Sequence, residues 1–276
     1  MSTPAPIRSS RAYWDAAADT YEQDFTTTVV GQVLRRAVWR ELERVFCPGQ
    51  RVLELNCGTG LDALHLAERG IGVLGCDISQ RMIDLARHRA RTTEFRDEID
   101  FRVLATERMG ALVDEGPFDG AFSNFSGLNC VESLSDVRKN LSRLIKPGGS
   151  IVLCMLGCFA PWEMIWFLAH GDWGKAIRRF QSRSVSRPQS DLPKVFYRST
   201  REITLLFAPE FSLRSWKGIG IAVPPSYMEH WARRFPKLTN ALERADRLLG
   251  GVAVFRNLSD FVILEFEHTG TTNGSQ

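Results

Sequence analysis

The ten residues RVLELNCGTG, at positions 51–60, constrain the fold of this chain more than any other stretch. An apolar, strand-like run leads directly into a turn that contains Gly58 and Gly60. Glycine adopts left-handed backbone angles at little cost, so such a turn lets the backbone approach a ligand closely. In an open parallel sheet, ligands bind outside the carboxyl ends of the strands. The stretch therefore predicts a nucleotide-type site at the end of a buried strand.

Strand-like and helix-like segments alternate after this turn, and they predict the fold class. The predicted strands cover 51–55, 71–76, 100–105, 118–125 and 150–156, with helices between them capped by Ser79 and Ser135, and two later strands cover 211–223 and 261–268. Strands joined by right-handed helical crossovers form a parallel sheet with helices on both faces. We expect an α/β protein with a seven-stranded, mostly parallel, doubly wound sheet, N-terminal helices and a helical insertion after strand 5.

The same pattern predicts how the chain is organised. Residues 1–10 are expected to be disordered, and 11–156 to hold N-terminal helices and the ligand-binding core. Residues 157–205 predict a helical insertion that lines the substrate site. Residues 206–268 are expected to complete the same domain, and 269–276 to form a disordered tail.

Composition excludes several classes of protein. Of 276 residues, 44% are hydrophobic and 24% charged, as in soluble globular proteins, and a net charge of +3 gives no strong signal for nucleic acid. The six cysteines form no C-x-x-C pair, so no metal site or disulfide framework is predicted. We see neither a signal peptide nor an apolar stretch of about 18 residues, which predicts no transmembrane segment and a cytoplasmic location.

The turn and the strand beside it indicate the chemical class of the ligand. The spacing of Asn56, Gly58 and Gly60 differs from the G-x-G-x-x-G pattern that holds a pyrophosphate, and Glu54 would repel a phosphate but suits a cation. Asp77 ends the second predicted strand, where a carboxylate can accept hydrogen bonds from both hydroxyls of a ribose. These features describe a positively charged nucleoside without phosphate, and S-adenosyl-L-methionine fits.

Four segments in order, LELNCGTG, GCDIS, FDGAFSNF and LIKPGGSIVL, resemble the core of class I S-adenosylmethionine-dependent methyltransferases of the small-molecule type. The resemblance covers about 51–156 and implies a Rossmann-like fold, S-adenosyl-L-methionine as cofactor and methyl transfer as activity. Asn56 stands where the family has its first glycine; Asn tolerates a left-handed backbone, so the replacement is mild.

By this resemblance, Asp77 would hold the ribose, Ile78 and Met82 would flank the adenine, and the end of the fourth strand would lie under the sulfonium. The family usually has an Asp near the adenine, and either Thr106 or Glu107 takes its place here. Several of these residues, such as Met82, could equally belong to the core. The implied cofactor-binding residues are Tyr21, Glu54, Asn56, Cys57, Gly58, Thr59, Gly60, Asp77, Ile78, Met82, Thr106, Glu107, Asn124, Phe125 and Leu128. Tyr13 and Tyr21 would belong to a lid helix.

Methyl transfer is an in-line displacement in which the protein mainly aligns donor and acceptor, so no catalytic residue is assigned. Glu163, His170 and His230 are candidate bases. The insertion carries an apolar patch and then a basic run, Phe159, Trp162, Ile165, Trp166 and Leu168 followed by Lys175, Arg178, Arg179, Arg183 and Arg187. This pattern fits either an amphipathic lid with a solvated basic side, or a site for a hydrophobic or aromatic small molecule with the basic side near an anionic group or a membrane surface.

Other activities stay open. The chain could methylate RNA or protein, or bind the cofactor without catalysis. Asn124 is followed by Phe-Ser-Gly, whereas enzymes that methylate base amines have prolines there. NAD-dependent oxidoreduction is disfavoured by the glycine spacing.

Overall fold

The computed structural model describes residues 5–181, 184–185 and 193–271. Its main sheet has seven strands, in the order β3-β2-β1-β4-β5-β9-β8. These strands are β1 (Arg51–Leu55), β2 (Gly72–Asp77), β3 (Ile99–Val103), β4 (Phe118–Ser123), β5 (Ile145–Leu156), β8 (Phe211–Ile219) and β9 (Phe261–His268). A separate pair consists of β6 (Ser184–Val185) and β7 (Val195–Phe196). The helices are α1 (Ala5–Ala17), α2 (Val29–Val45), α3 (Leu61–Ala67), α4 (Gln80–Arg91), α5 (Leu134–Leu144), α6 (Pro161–Ala169), α7 (Trp173–Ala176), α8 (Arg178–Gln181), α9 (Thr200–Phe207), α10 (Glu229–Arg234) and α11 (Pro236–Leu249).

The sheet confirms the predicted fold class. Strands β1 to β5 pair in parallel, and β9 is antiparallel to both of its neighbours, β5 and β8. The chain order reverses at β1, since β2 and β3 lie on one side of it and β4 and β5 on the other. Ligands of open α/β sheets bind in the crevice at this reversal. The fold therefore directs attention to the carboxyl ends of β1, β2 and β4.

Two apolar layers cover the faces of the sheet. On one face, Leu34, Val38 and Leu42 of α2 pack with residues of α3 and α4. On the other face, Leu134, Val137 and Leu141 of α5 pack with Ile203 and Phe207 of α9. The central strands are buried on both sides, which explains why RVLEL reads as a continuous apolar run rather than an alternating one.

One of the two predicted helix caps is confirmed, and the other is wrong. The hydroxyl of Ser79 accepts a hydrogen bond from the amide of Met82, as predicted for the start of α4. Helix α5 is capped by Ser133, whose hydroxyl accepts from the amide of Asp136, so the prediction of Ser135 as the cap was wrong by two residues. Both serines are good caps, and helix α5 begins two residues earlier than expected, at Leu134, which is buried in the core.

Several expected segment boundaries also change. Helix α1 begins at Ala5, within the range 1–10 for which disorder was expected, while 1–4 lie outside the described residues. The insertion contains the short pair β6–β7 as well as helices, and the expected boundary at 205 falls inside α9. Thr269 is tied back to the carbonyl of Glu210, and 272–276 lie outside the described residues.

Candidate functional site

The turn after β1 adopts an unusual backbone that the sequence anticipates. Asn56, Gly58 and Gly60 all have positive φ angles, of 57°, 53° and 75°. Asn56 therefore takes the left-handed conformation expected of a residue that replaces a glycine. Its side chain also joins neighbouring loops, since its amide donates to the hydroxyl of Thr106 at 3.0 Å and its carbonyl accepts from Ser123 at 3.3 Å.

Asp77 connects the loops that follow β1 and β2. One carboxylate oxygen accepts from the amide of Gly58 at 2.9 Å, and the other accepts from the amide of Ser79 at 2.9 Å. Burial raises the pKa of Asp77 above its ordinary value, and these amides partly offset that rise. A carboxylate offers about four acceptor positions, and Ser79, Gly58 and Ile78 supply three backbone amides, so capacity for a further donor remains. Asp77 is thus fixed in place and still able to accept hydrogen bonds.

Glu54 is a buried carboxylate at the end of β1. Its Oε2 atom is buried and has no hydrogen-bond partner within the described part of the chain. Burial, followed by repulsion from Asp62, raises the pKa of Glu54 well above its ordinary value, although Arg35 works against that rise. A buried acceptor without a partner is costly unless a ligand satisfies it. Glu54 is therefore suited to a cationic donor.

A buried ion pair that the sequence analysis missed lies beside Glu54. Arg35 Nη1 of α2 donates to Asp62 Oδ1 of α3 at 2.6 Å, and both side chains are buried. Trp39 Nε1 donates to the same Asp62 oxygen at 2.7 Å, and Asn124 Nδ2 donates to the other at 2.8 Å. Arg35 Nε is buried without a partner among the described residues. The sequence held one signal, because Arg35 interrupts the apolar face of α2 beside Leu34 and Val38.

Aromatic rings line the region at the end of β4. Phe125 and the next residue, Ser126, have positive φ angles of 44° and 62°. Positive φ angles are uncommon for residues other than glycine. The Phe125 ring lies 4.7 Å from the ring of Phe25 and 5.7 Å from that of Phe261. The guanidinium of Arg35 lies 4.9 Å from the Phe125 ring centre. These contacts hold the strained residue in place and bring an apolar wall next to the buried ion pair.

The other predicted residues divide between this region and the core. Burial raises the pKa of Tyr21, with nearby Arg35 opposing the rise, and its ring lies 6.2 Å from that of Phe25. Thr59 and Thr106 are buried, Ile78 is half-buried and Glu107 is exposed. Met82 and Leu128 are fully enclosed in the core. Burial raises the pKa of the Cys57 thiol well above its ordinary value, which disfavours a nucleophilic thiolate there.

The three candidate bases lie in different surroundings. Glu163 is buried between Arg178 and Arg179; although burial raises its pKa, its hydrogen bonds to these two arginines bring the pKa below the ordinary value. His170 and His230 are exposed. Since a carboxylate with a lowered pKa is a weak base, Glu163 acts as an anchor for the insertion.

The basic run of the insertion is more buried than a solvated face. Arg179 donates to Asp260 Oδ1 at 2.6 Å and to the carbonyl of Gly157 at 2.9 Å, besides its bond to Glu163. Arg178 contacts Glu163, and Lys175 pairs with Asp172. The expectation of a solvated basic side is wrong for Arg179, while Arg183 and Arg187 lie outside the described residues.

Within the ranges that the structure describes, we find no group of three or more His, Cys, Asp or Glu side chains that could hold a metal ion. None of the helices in the described ranges is long and apolar enough to cross a membrane.

Comparison with known proteins agrees with this geometry. A family model described as a methyltransferase domain matches residues 52–149. A demethylmenaquinone methyltransferase of Symbiobacterium thermophilum is 28% identical over 59% of this chain and 68% of its own length. A tRNA 5-carboxymethoxyuridine methyltransferase of Escherichia coli is 30% identical over 51% of this chain and 54% of its own. Most of the curated relatives are thus matched over about half of their length.

Solved structures extend the similarity of fold to nearly the whole chain. The CcbJ methyltransferase of Streptomyces caelestis superposes with a TM-score of 0.61 at 16% identity, over 94% of this chain and 98% of that one. A geranyl diphosphate C-methyltransferase of Streptomyces coelicolor gives a TM-score of 0.58 at 16% identity, over 97% of this chain and 100% of that one.

Proposed function

We propose that this chain is a class I S-adenosylmethionine-dependent methyltransferase, and that it methylates a small hydrophobic or aromatic molecule. When bound, S-adenosyl-L-methionine supplies a methyl group activated by its sulfonium. The residues of the chain are then required to bind this cofactor, to orient the acceptor and to exclude water.

Asp77 is the residue that we assign to the ribose. Its carboxylate is held by the amides of Gly58 and Ser79, yet it keeps capacity to accept a further hydrogen bond. Two neighbouring hydroxyls on one sugar match two oxygens on one carboxylate. This fixed and partly satisfied carboxylate is the single observation on which the proposed cofactor site rests.

Glu54 and Arg35 suit the amino-acid end of the same cofactor. Glu54 Oε2 and Arg35 Nε are buried atoms without partners among the described residues, one an acceptor and the other a donor. The ammonium and carboxylate of an amino acid would satisfy both. We infer that Glu54 meets the ammonium and that Arg35, fixed by Asp62, meets the carboxylate.

The acceptor side is proposed to be the aromatic wall. Phe25, Phe125 and Phe261 offer apolar rings at the end of β4, which favours a hydrophobic or aromatic acceptor over a polar one. Glu163, His170 and His230 are not poised to take a proton. We therefore infer that catalysis depends on alignment rather than on a base from this group of three.

The relatives favour the same class of acceptor without fixing it. Two of them are named for demethylmenaquinone and ubiquinone biosynthesis, and another for a tRNA. Arg178, Arg179 and Lys175 are engaged in ion pairs with the chain's own acids, so they are poorly available for a phosphate backbone. RNA is thus the less favoured acceptor.

Calorimetric titration with S-adenosylhomocysteine tests the cofactor site. We expect the unmodified chain to bind, and Asp77→Asn to weaken binding by about 1–3 kcal/mol, the scale of hydrogen bonds to a charged group. Asp84→Asn is a matched control, since Asp84 is exposed on α4 and contacts Gln80. Equal affinities for both variants would remove Asp77 from the site.

Radiolabelled S-adenosylmethionine tests the acceptor class. The chain is incubated with labelled cofactor and cell extract, which is then separated into solvent-extractable, nucleic-acid and protein fractions. We expect label in the solvent-extractable fraction, and none there with Asp77→Asn. Label confined to RNA or protein would contradict the small-molecule acceptor, and intact cofactor binding without any transfer would indicate a non-catalytic binder.

A further inference from the structure

Helices α6 and α7 expose large apolar side chains to solvent. Ile165 is 61% exposed and Trp173 is 71% exposed, and Leu168 is exposed between them in sequence. Ile165 and Leu168 are three residues apart, so they lie on the same side of α6. The opposite side of this helix is anchored by buried Glu163. A group of large exposed apolar side chains, rather than a single one, is a feature of interaction surfaces.

A second group of exposed apolar residues begins at Tyr227, whose ring packs against α6. The ring of Tyr227 lies 5.6 Å from that of Trp166 and 5.8 Å from that of Phe167. Helix α10 begins two residues after Tyr227, and exposed Phe235 and Leu238 follow at its junction with α11. We name this set the rim surface: Ile165, Leu168, Trp173, Tyr227, Phe235 and Leu238.

The rim surface is tied to the candidate site. The carboxylate of Glu229, in the first turn of α10, accepts hydrogen bonds from the amides of Val29 and Val30 at 2.8 and 3.1 Å. These residues begin α2, four positions after Phe25, whose ring packs on Phe125. Helix α10, at whose end Phe235 lies, is therefore fixed to the start of α2, close in sequence to the proposed acceptor wall.

Positive charge exceeds negative charge around the rim surface. Acidic side chains on the helices that carry the rim surface are paired with cations. Glu163 pairs with Arg179, Asp172 with Lys175 and Glu229 with Arg233. Arg234 and Lys237 flank Phe235, are exposed, and form no ion pair with another described residue. The surface thus combines aromatic and aliphatic side chains with unpaired positive charge, as in proteins that bind anionic membranes.

We propose that the rim surface docks on the anionic face of a lipid bilayer, so that a membrane-soluble acceptor can reach the aromatic wall without crossing water. This inference rests on the proposed hydrophobic acceptor. A second copy of the chain is a poorer occupant, because two copies of this surface would bring like charges together. Anionic lipid headgroups are complementary to Arg234 and Lys237, and the acyl region is complementary to Trp173 and Ile165.

Vesicle flotation with the full chain tests the proposal. Vesicles of phosphatidylcholine alone are compared with vesicles that contain 30% phosphatidylglycerol, an amount chosen on the order of natural anionic membranes. We expect binding to the anionic vesicles and much weaker binding to the neutral ones. Arg234→Gln with Lys237→Gln should weaken binding to anionic vesicles roughly 25-fold, since each cation near the surface contributes about fivefold. Ile165→Ser with Trp173→Ser should weaken it about tenfold or more, through lost apolar burial.

Matched controls separate docking from general effects. Leu205→Ser removes an exposed apolar side chain from α9, and Arg91→Gln with Arg143→Gln removes two exposed cations from α4 and α5. Both controls should bind vesicles as the unmodified chain does. No flotation of the unmodified chain, or equal losses in controls and rim variants, would overturn the proposal. So would sedimentation that shows a dimer which Trp173→Ser dissociates.

The cofactor titration distinguishes the two proposals. If S-adenosylhomocysteine binds but the chain does not float with vesicles, the proposal of bilayer docking is wrong and the methyltransferase assignment stands. If neither binds, the proposed site itself fails.

Discussion

The carboxylate of Asp62 lies 2.6 Å from the guanidinium of Arg35, and this buried pair joins α2 to the helix that follows the glycine turn. Asp62 also accepts hydrogen bonds from Trp39 and Asn124, so one side chain fixes groups from α2 and from the end of β4. This arrangement makes Asp62 a positioning residue that holds Arg35 with one carboxylate oxygen and Asn124 with the other.

Replacement of Asp62 by alanine should destabilise the fold strongly. It leaves the Arg35 guanidinium buried without its partner, and removal of one member of a buried pair costs about 3–5 kcal/mol. Urea unfolding measures the loss. Glu243→Ala is the control, because Glu243 pairs with Arg36 and Arg40 at the surface of the same helix, where such pairs contribute about 1 kcal/mol or less. Equal losses in the two variants would contradict a special role for the buried pair.

Replacement of Glu54 by glutamine should stabilise the free protein more as pH rises. The folded chain raises the pKa of Glu54, chiefly by burial, so the native state keeps a proton that the unfolded state releases. The native state therefore loses stability as pH rises from the ordinary glutamate pKa, about 4.3, towards the raised value. Glu54→Gln removes this loss.

Urea unfolding at pH 5 and pH 8 measures the effect. The gain in free energy of unfolding from Glu54→Gln should be larger at pH 8 than at pH 5. The same variant should bind S-adenosylhomocysteine more weakly, because the neutral amide attracts an ammonium less than a carboxylate does. A gain independent of pH would show that Glu54 is ionised in the folded chain.

Replacement of Arg179 by glutamine should loosen the insertion. Arg179 joins Glu163 of α6 to Asp260 beside β9 and also bonds to the carbonyl of Gly157. Without it, two carboxylates face each other with less compensation, which disfavours the docked position of α6. Hydrogen exchange should become faster in Pro161–Ala169 and stay unchanged in α4. Arg178→Gln, which loses contacts at the half-buried edge of the same cluster, should have a smaller effect; equal acceleration by both would contradict the prediction.

The sequence predicts the parts of this structure that depend on local chemistry. The left-handed Asn56, the carboxylate of Asp77 at the end of β2 and the Ser79 cap follow from residue type and position along one strand or helix. Arg35 and Asp62 are 27 residues apart, and their contact depends on how α2 lies across the sheet. Residue patterns carry no information about that angle, so the pair could be seen only in the fold.

Two further differences have the same origin. Thr106 and Glu107 were equivalent alternatives in sequence, and the turn after β3 buries the first and exposes the second. Arg179 belonged to a basic run that read as solvated, and it is buried because Glu163 and Asp260, 16 and 81 residues away, meet it from both sides. Long-range ion pairs therefore account for most of what sequence patterns missed at this site.

The two glycines of the turn after β1 should respond differently to alanine. Both have positive φ angles, so each alanine pays a backbone cost of about 1–2 kcal/mol. At Gly60, an added Cβ would lie 2.6 Å from Phe101 Cζ and 2.8 Å from Ala86 Cβ, whereas at Gly58 it would meet nothing within 4 Å. Overpacking adds about 1–3 kcal/mol, so Gly60→Ala should lower the free energy of unfolding more than Gly58→Ala.

Cofactor binding should show the opposite order if the space above Gly58 is where the nucleoside lies. Gly58→Ala places a methyl group into that open space, next to the Asp77 carboxylate that accepts from the Gly58 amide. Titration with S-adenosylhomocysteine, at a temperature where both variants remain folded, should show the larger loss of affinity for Gly58→Ala. If Gly58→Ala binds as tightly as the unmodified chain, the ligand does not pass over this turn, and the assignment of Asp77 to its ribose fails with it.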